Sequence, residues 1–199
     1  MSGSRRLFVG LPLPRAAAED LRRAVQKALA PLLARGLRLA PAGEIHLTLH
    51  FLGATDEDRI ADLTAALGRR LAGARAPRLR IDRTGGFPEA DRARVLWAGV
   101  REEAGAEGRL RTLEQAARGA VRDTGLPAVE EGEADGHPHL TVARPRGRER
   151  LSLPAAFREL SLDLPWTPAA VVLFESRPGE QGEARYPALA TFVLSPDSA

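Results

Sequence analysis

The spacing of apolar and polar residues along the chain predicts a domain in which strands alternate with amphipathic helices. Strict alternation marks residues 44–53 and 138–144 as half-buried strands, and shorter apolar runs predict strands at 7–11, 37–40, 79–82, 95–100, 157–164, 169–175 and 186–194. Helical spacing covers 15–34, 55–71 and 107–123, with Pro31 predicting a break in the first of these. The recurring strand–helix–strand order indicates an α+β fold with two sheet lobes that face a cleft.

Glycine and proline predict the connections. Residues 85–88 (GGFP) are typical of a turn, 125–136 of an acidic loop, and 178–182 of the turn of a hairpin. Thr55, followed by three acidic residues, predicts the start of the second helix. No stretch has the composition of a linker, so residues 1–199 are expected to form a single bilobal domain.

A short motif occurs twice, as His46-Leu47-Thr48 and again 139 − 46 = 93 positions later at His139. On a strand, residues i and i+2 share a face. His46 and Thr48 should therefore point together into the cleft while Leu47 points to the core. His139 and Thr141 should do the same in the second copy.

Two opposed imidazoles suit acid–base chemistry, since imidazole titrates near neutral pH and can give or take a proton. In-line cleavage of a phosphodiester needs one group to deprotonate the attacking oxygen and another to protonate the leaving oxygen. Hydroxyls of Thr48 and Thr141 would donate hydrogen bonds to the phosphate. Neither a metal nor a covalent nucleophile is required.

Other interpretations stay open at this point. A single histidine in a strand is more often structural than catalytic, and strand threonines are common. All four histidines of the chain lie in the two motif segments or, for His137, directly before the second one. By strict alternation His50 shares the face of His46, and His137 that of His139, so four imidazoles could form a zinc site.

Composition changes the picture little. The net charge is +3, and Lys27 is the only lysine among 29 basic residues. Arginine excess accommodates a phosphate-bearing ligand more easily than a cationic one. The chain has no cysteine, signal-peptide pattern or membrane-spanning apolar run, which predicts a cytoplasmic protein with no membrane partner; we expect a monomer.

The paired motifs resemble those of the two-histidine phosphoesterase superfamily. More narrowly, the chain resembles the bacterial and archaeal RNA 2′,3′-cyclic phosphodiesterases, long called 2′–5′ RNA ligases. Residues 6–12 (RLFVGLP), 50–53 (HFLG) and 172–176 (VLFES) carry the same resemblance. It implies two pseudo-symmetric lobes, each an antiparallel sheet with helices on its outer face, around a central cleft.

The resemblance further implies hydrolysis of a 2′,3′-cyclic phosphate on RNA to a 2′-phosphate, without metal or other cofactor, and with reverse 2′–5′ ligation as a supported reaction. His46 would be the general acid and His139 the general base. Thr48 and Thr141 would hold the phosphate. Alternatives are a phosphodiesterase for another small cyclic or 2′–5′ nucleotide, and a noncatalytic module that binds RNA ends.

Three further residues are candidates for the cleft. Arg144 matches a basic position of the family and would bind phosphate, although strict alternation turns it away from His139. Phe51 could stack a base at the groove edge, although its register with Leu47 favours the core. His50 is expected in the substrate groove from its register with His46.

Overall fold

A single antiparallel sheet organises the computed structural model, which describes residues 3–127, 137–147, 149–177 and 185–196. Within these ranges the sheet has nine strands in the order β7-β4-β5-β6-β3-β1-β8-β9, with β2 beside β6. The strands are β1 (Ser4–Pro12), β2 (Arg38–Leu39), β3 (His46–Asp56), β4 (Leu79–Phe87), β5 (Val95–Glu102), β6 (His139–Arg144), β7 (Leu164–Trp166), β8 (Ala170–Glu175) and β9 (Ala188–Val193). The helices are α1 (Arg15–Ala28), α2 (Ala30–Leu33), α3 (Ile60–Leu71), α4 (Arg109–Asp123) and α5 (Ala155–Arg158).

The sheet divides into two equivalent halves. One half runs β6-β5-β4-β7 and the other β3-β1-β8-β9, and in each the inner strand follows a long helix: β1 leads through α1 to β3, and β5 leads through α4 to β6. Within the described ranges, β3 and β6 join the halves through one paired position, Leu47 with Leu140. The predicted α+β fold with two pseudo-symmetric lobes is thus confirmed, with the two lobes continuous as one curled sheet.

Among the described residues, the helices pack on the face of the sheet opposite to the two motifs. Helix α4 contacts β3 and α3 contacts β9, while α1 contacts β7, so α1 and α4 each pack on the half opposite to the strand they follow. Alternate strand residues, Leu47 and Leu140 among them, join the helices in the main core. Burying a leucine side chain fully is worth about 1.5–3 kcal/mol, so this face determines the register of both inner strands.

Three sequence predictions of local structure are wrong. Thr55 is buried within β3, and α3 begins only at Ile60 after a turn of 3-10 helix. Gly85 lies inside β4 rather than in a turn, paired with Trp97 of β5, and the Trp97 ring occupies the space where a Cβ would be. Residues 157–164 contain the end of α5, where buried Phe157 anchors the chain and accepts a hydrogen bond from the Thr84 hydroxyl at its carbonyl.

The break predicted at Pro31 is confirmed, since α1 ends at Ala28 and α2 begins at Ala30. Most of the predicted loop 125–136 and the predicted turn 178–182 lie outside the described residues. In the described part of the chain, every helix is too short or too polar to cross a membrane.

Candidate active site

The two repeated motifs lie side by side at the centre of the sheet, on β3 and β6. Leu47 pairs with Leu140 in antiparallel register, so each histidine is across from the threonine of the other motif. The two motifs are therefore related by an approximate twofold axis through this leucine pair. Four polar side chains surround the axis: His46, Thr48, His139 and Thr141.

These four side chains occupy the open face of the sheet. All four are half-buried, whereas Leu47 and Leu140 on the opposite face are 2% and 0% exposed. The two histidines are diagonal neighbours across the strands, a relation that places residues about 7–8 Å apart. That separation leaves room for one small anion between two imidazoles.

Backbone carbonyls orient both imidazole rings in the same way. Nδ1 of His46 is 2.7 Å from the Glu44 carbonyl oxygen, and Nδ1 of His139 is 2.9 Å from the His137 carbonyl oxygen. A carbonyl oxygen only accepts, so Nδ1 carries the proton in both rings. Nε2 is then the ring nitrogen that can take up or release a proton on the groove side.

An aromatic cluster encloses His46. Its ring stacks on Phe8 at 4.7 Å between centroids and meets the edge of Tyr186 at 5.0 Å, with Phe174 at 5.8 Å. Phe8 and Phe174 belong to a small apolar cluster on the open face, separate from the main core. The histidine of β3 therefore has a less polar environment than a groove residue would ordinarily have.

Burial in this cluster lowers the pKa of His46 from 6.5 to about 4. The hydrogen bond to the Glu44 carbonyl opposes the shift, while the nearby charges of Arg144 and His139 add to it. In the ligand-free protein His46 is consequently neutral at pH 7.

His139 has different neighbours. Its ring is steeply inclined to that of Phe87, with 4.9 Å between the ring centroids. The Phe87 ring in turn lies beside that of Trp97, with 5.3 Å between their centroids. Trp97 is the direct strand partner of Thr141, and its ring lies over Gly85, where a Cβ would come within 2.3 Å of it. Aromatic rings thus lie beside both histidines, but three rings surround His46 whereas Phe87 contacts His139.

A β-bulge reverses two predictions on β3. Val9 pairs with His50 but the next partner pair is Gly10 with Thr48, so Leu49 is an extra residue and the alternation inverts after it. His50 is buried at 8% exposure on the core side, and Phe51 is 53% exposed on the side of the motif. Placing His50 in the groove was wrong, and so was the register argument that sent Phe51 to the core.

The same irregularity occurs on β6. Leu96 pairs with Ala143 and Trp97 with Thr141, which leaves Val142 as the extra residue. Val142 and Ala143 are both buried, and Arg144 is exposed. Arg144 therefore faces the motif side, and its charge acts on His46. Strict alternation, which turned Arg144 away, failed for the same reason as at His50.

The two bulges have equivalent positions, each three residues after the motif histidine. Consequently Phe51 and Arg144, each five residues after a histidine, correspond under the twofold relation. Arg144 is solvent-accessible as a whole residue, but neighbouring groups partly desolvate its guanidinium, and this desolvation lowers its pKa. Tyr186 opposes the shift and the nearby charge of Arg185 adds to it. The symmetric scaffold thus presents an aromatic ring on one side of the groove and a guanidinium on the other.

The threonine hydroxyls remain available to a ligand. Neither Thr48 nor Thr141 forms a side-chain hydrogen bond with any described residue. Gly10, the strand partner of Thr48, has no room for a side chain, because a Cβ there would lie 2.8 Å from the Leu47 carbonyl oxygen. A glycine at this position thus allows β1 to approach β3 closely beside Thr48.

A four-histidine metal site is not formed. His50 lies on the core side of the sheet, and His137 is exposed before β6 begins. Across the described ranges, no group of three or more His, Asp or Glu side chains is arranged to hold a metal ion.

Sequence reasoning missed the aromatic residues around the histidines. Phe8 and Phe174 lie in two stretches that carry the family resemblance. Residues 170–174 are apolar at every position, so β8 has a second apolar face in addition to the one in the main core. That continuous apolar run was a usable signal. Tyr186 and Phe87 reach the site only through the sheet topology, so no local pattern indicates them.

Comparison with known proteins agrees with this geometry. Residues 11–97 match the family described as LigT like Phosphoesterase. An RNA 2′,3′-cyclic phosphodiesterase of Thermus thermophilus is 36% identical over 87% of this chain and 83% of its own length. One of Aeropyrum pernix is 35% identical over 53% of this chain, and the match spans 56% of that protein.

Solved structures show the same fold. The TT0787 protein of Thermus thermophilus matches with a TM-score of 0.70 and 30% identity, covering 97% of this chain and all of the other. E. coli LigT in complex with 3′-AMP matches with a TM-score of 0.72 and 24% identity over 98% and 99% of the two chains. The fold and the paired motifs define a two-histidine phosphoesterase. Within that class, this chain belongs to the LigT-like phosphoesterase family.

Proposed function

We propose that this protein hydrolyses the 2′,3′-cyclic phosphate at the end of an RNA strand to a 2′-phosphate. The observation that carries the proposal is the twofold arrangement of the two motifs around Leu47 and Leu140, with an imidazole on each side of one anion-sized space. Two relatives are named RNA 2′,3′-cyclic phosphodiesterase and share 35–36% of their matched residues with this chain. A LigT structure of the same fold contains 3′-AMP.

In the proposed reaction, a water oxygen attacks phosphorus as Nε2 of His139 removes a water proton. The bond from phosphorus to O3′ breaks, and the proton on Nε2 of His46 passes to O3′. His139 ends protonated and His46 neutral, and exchange with solvent restores both. The Nδ1 hydrogen bonds to Glu44 and His137 hold each Nε2 in position throughout.

The acid role of His46 requires a proton that the ligand-free protein does not hold at pH 7, because its pKa is about 4. The cyclic phosphate carries a negative charge, and an anion beside a buried imidazole favours its protonated form. His46 therefore takes up its proton together with the substrate. Once protonated in this apolar cluster it is a strong proton donor to O3′.

The remaining groove residues bind substrate. Thr48 and Thr141 donate hydroxyl hydrogen bonds to the non-bridging oxygens, and Arg144 supplies a positive charge beside His46. Phe51, exposed on the motif side, stacks the terminal base. His50 has no part in the groove.

The test is conversion of an oligonucleotide with a 2′,3′-cyclic end to the 2′-phosphate product in the presence of EDTA. His46→Gln and His139→Gln should each lose about two to four orders of magnitude in rate, the usual contribution of acid or base catalysis. His137→Gln is the matched control: it removes an exposed histidine but keeps the carbonyl that orients His139.

Each contrary outcome has a distinct meaning. Activity that EDTA abolishes would indicate a metal-dependent reaction. Binding of the oligonucleotide without turnover would indicate a noncatalytic RNA-end module. Turnover of small cyclic or 2′–5′ nucleotides alone would indicate the other phosphodiesterase class. A monomer in the cytoplasm stays a prediction from the sequence, and size-exclusion chromatography with light scattering tests the oligomeric state.

A further inference from the structure

Beyond the catalytic groove, the sheet carries a patch of arginines at the end of β6. β2 pairs with β6 there, and Arg38 lies directly across from Arg144. Directly opposed residues of an antiparallel pair share a face, so Arg38 is on the same side as the catalytic motifs. Like charges opposite each other on neighbouring strands repel, which makes this pairing unfavourable without an anion.

Two more arginines continue the patch. A cleft of about 230 Å³ beside β2 is lined by Arg35 and Arg146, together with Gly36 and Pro145. The side chain of Arg146 lies against Gly36, with its Cδ 3.7 Å from where a Cβ would be. We call the three arginines outside the catalytic groove the basic edge: Arg35, Arg38 and Arg146.

The basic edge has no internal counter-charge among the described residues. None of its three members forms an ion pair or hydrogen bond there through its guanidinium, and Glu149, which lines the same cleft, is not within salt-bridge distance of them. All three are exposed. Arginines elsewhere do pair with carboxylates, for example Arg70 with Asp123 and Arg80 with Glu103.

We infer that the basic edge binds the phosphodiester backbone of the RNA nucleotides that precede the cyclic end. This inference rests on the proposed function and deepens it, since it assigns the surface that holds the nucleotides upstream of the reacting phosphate. Arg144 connects the two regions. Its charge is close enough to affect His46, and on the other side Arg144 is the strand partner of Arg38. A cyclic phosphate held between the histidines would therefore have its upstream strand beside β2. A row of unpaired arginines suits that strand because phosphate contacts need charge and carry no base specificity.

The experiment compares two substrates: a hexanucleotide with a 2′,3′-cyclic end and the mononucleotide 2′,3′-cyclic AMP. The triple variant Arg35→Ser/Arg38→Ser/Arg146→Ser should lower kcat/KM for the hexanucleotide roughly tenfold to a hundredfold at low salt, mostly through KM. kcat/KM for the mononucleotide should stay unchanged. Unchanged hexanucleotide kinetics would overturn the inference.

A matched control removes the same charge from the helical face. Arg69→Ser/Arg111→Ser/Arg122→Ser changes three exposed arginines of α3 and α4, and it should leave both substrates unaffected. An equal loss in the control would assign the effect to net charge and refute the basic edge as a binding surface.

A binding measurement keeps this inference separate from the proposed chemistry. Fluorescence anisotropy of a labelled hexanucleotide with a 2′-phosphate end gives the slope of log K against log salt. Each lost phosphate contact to a single strand reduces that slope by about 0.7, so the triple variant should reduce it by about 2. If neither substrate is hydrolysed, the proposed function fails, and an unchanged slope independently overturns the basic edge.

Discussion

The buried position of His46 predicts that protonation of this residue destabilises the fold in acid. The pKa of His46 is about 4 in the folded protein against 6.5 for an ordinary histidine. The folded state therefore binds fewer protons than the unfolded state between those values. The contribution of neutral His46 to the free energy of unfolding is fully present above about pH 6.5. It is lost progressively as the pH falls toward 4.

The magnitude follows from the shift. A difference of about 2.5 pK units at about 1.4 kcal/mol per unit corresponds to about 3 kcal/mol when the whole range is crossed. At pH 4.5 most of this, roughly 2–3 kcal/mol, should already be lost. That loss is large against a total stability of about 5–15 kcal/mol for a typical domain.

The assay is urea unfolding at pH 7.5 and pH 4.5 for the wild type and for His46→Phe. Phenylalanine fits the apolar surroundings of Phe8 and Phe174 and cannot be protonated. The wild type should lose roughly 2–3 kcal/mol more than the variant between the two pH values. Other titrating groups are common to both proteins, so the difference between them isolates His46.

A second variant tests the cause. Tyr186→Ala removes one wall of the cluster around His46, so water reaches the imidazole and its pKa should return toward 6.5. The loss of unfolding free energy between pH 7.5 and pH 4.5 should then be smaller in Tyr186→Ala than in the wild type. Parallel stability curves for wild type and His46→Phe would refute the assignment of the shift to burial.

Three other changes have defined outcomes. Thr141→Val should lower kcat about tenfold to a hundredfold through loss of a phosphate donor, whereas Thr141→Ser should retain most of it, as followed by product formation from the cyclic oligonucleotide. Phe51→Ala should raise KM for the oligonucleotide about tenfold, since base stacking is worth about 1–3 kcal/mol. Phe51→Trp keeps an aromatic ring and should have the KM of the wild type. A KM for Phe51→Ala equal to that of the wild type would exclude stacking. Gly10→Ala should destabilise the fold by about 1–3 kcal/mol because its Cβ would meet the Leu47 carbonyl, while Gly43→Ala, with no atom within 4 Å of its Cβ, should leave the thermal midpoint unchanged.

Local pattern predicted much of the fold because most elements have a clear period. Short apolar runs were enough to recognise strands β1, β5, β8 and β9, and helical spacing was enough for α1 and α4. Elements that depend on residues distant in the chain could not be recognised from local pattern. β4 continues through Gly85, where the ring of its strand partner Trp97 fills the space that a side chain would need. Helix α5 is a single turn whose Phe157 is buried.

The sequence by itself determined the two His-x-Thr motifs, their strand character and the side on which each histidine lies, because alternation holds from His46 to Thr48 and from His139 to Thr141. Tertiary structure decided the rest of the groove. Bulges at Leu49 and Val142 invert the alternation, which buries His50 and brings Phe51 and Arg144 to the open face. The tertiary structure also gave the two histidines different environments. The aromatic rings around His46 come from β1, β8 and Tyr186, and strand order rather than any local pattern brings these rings together.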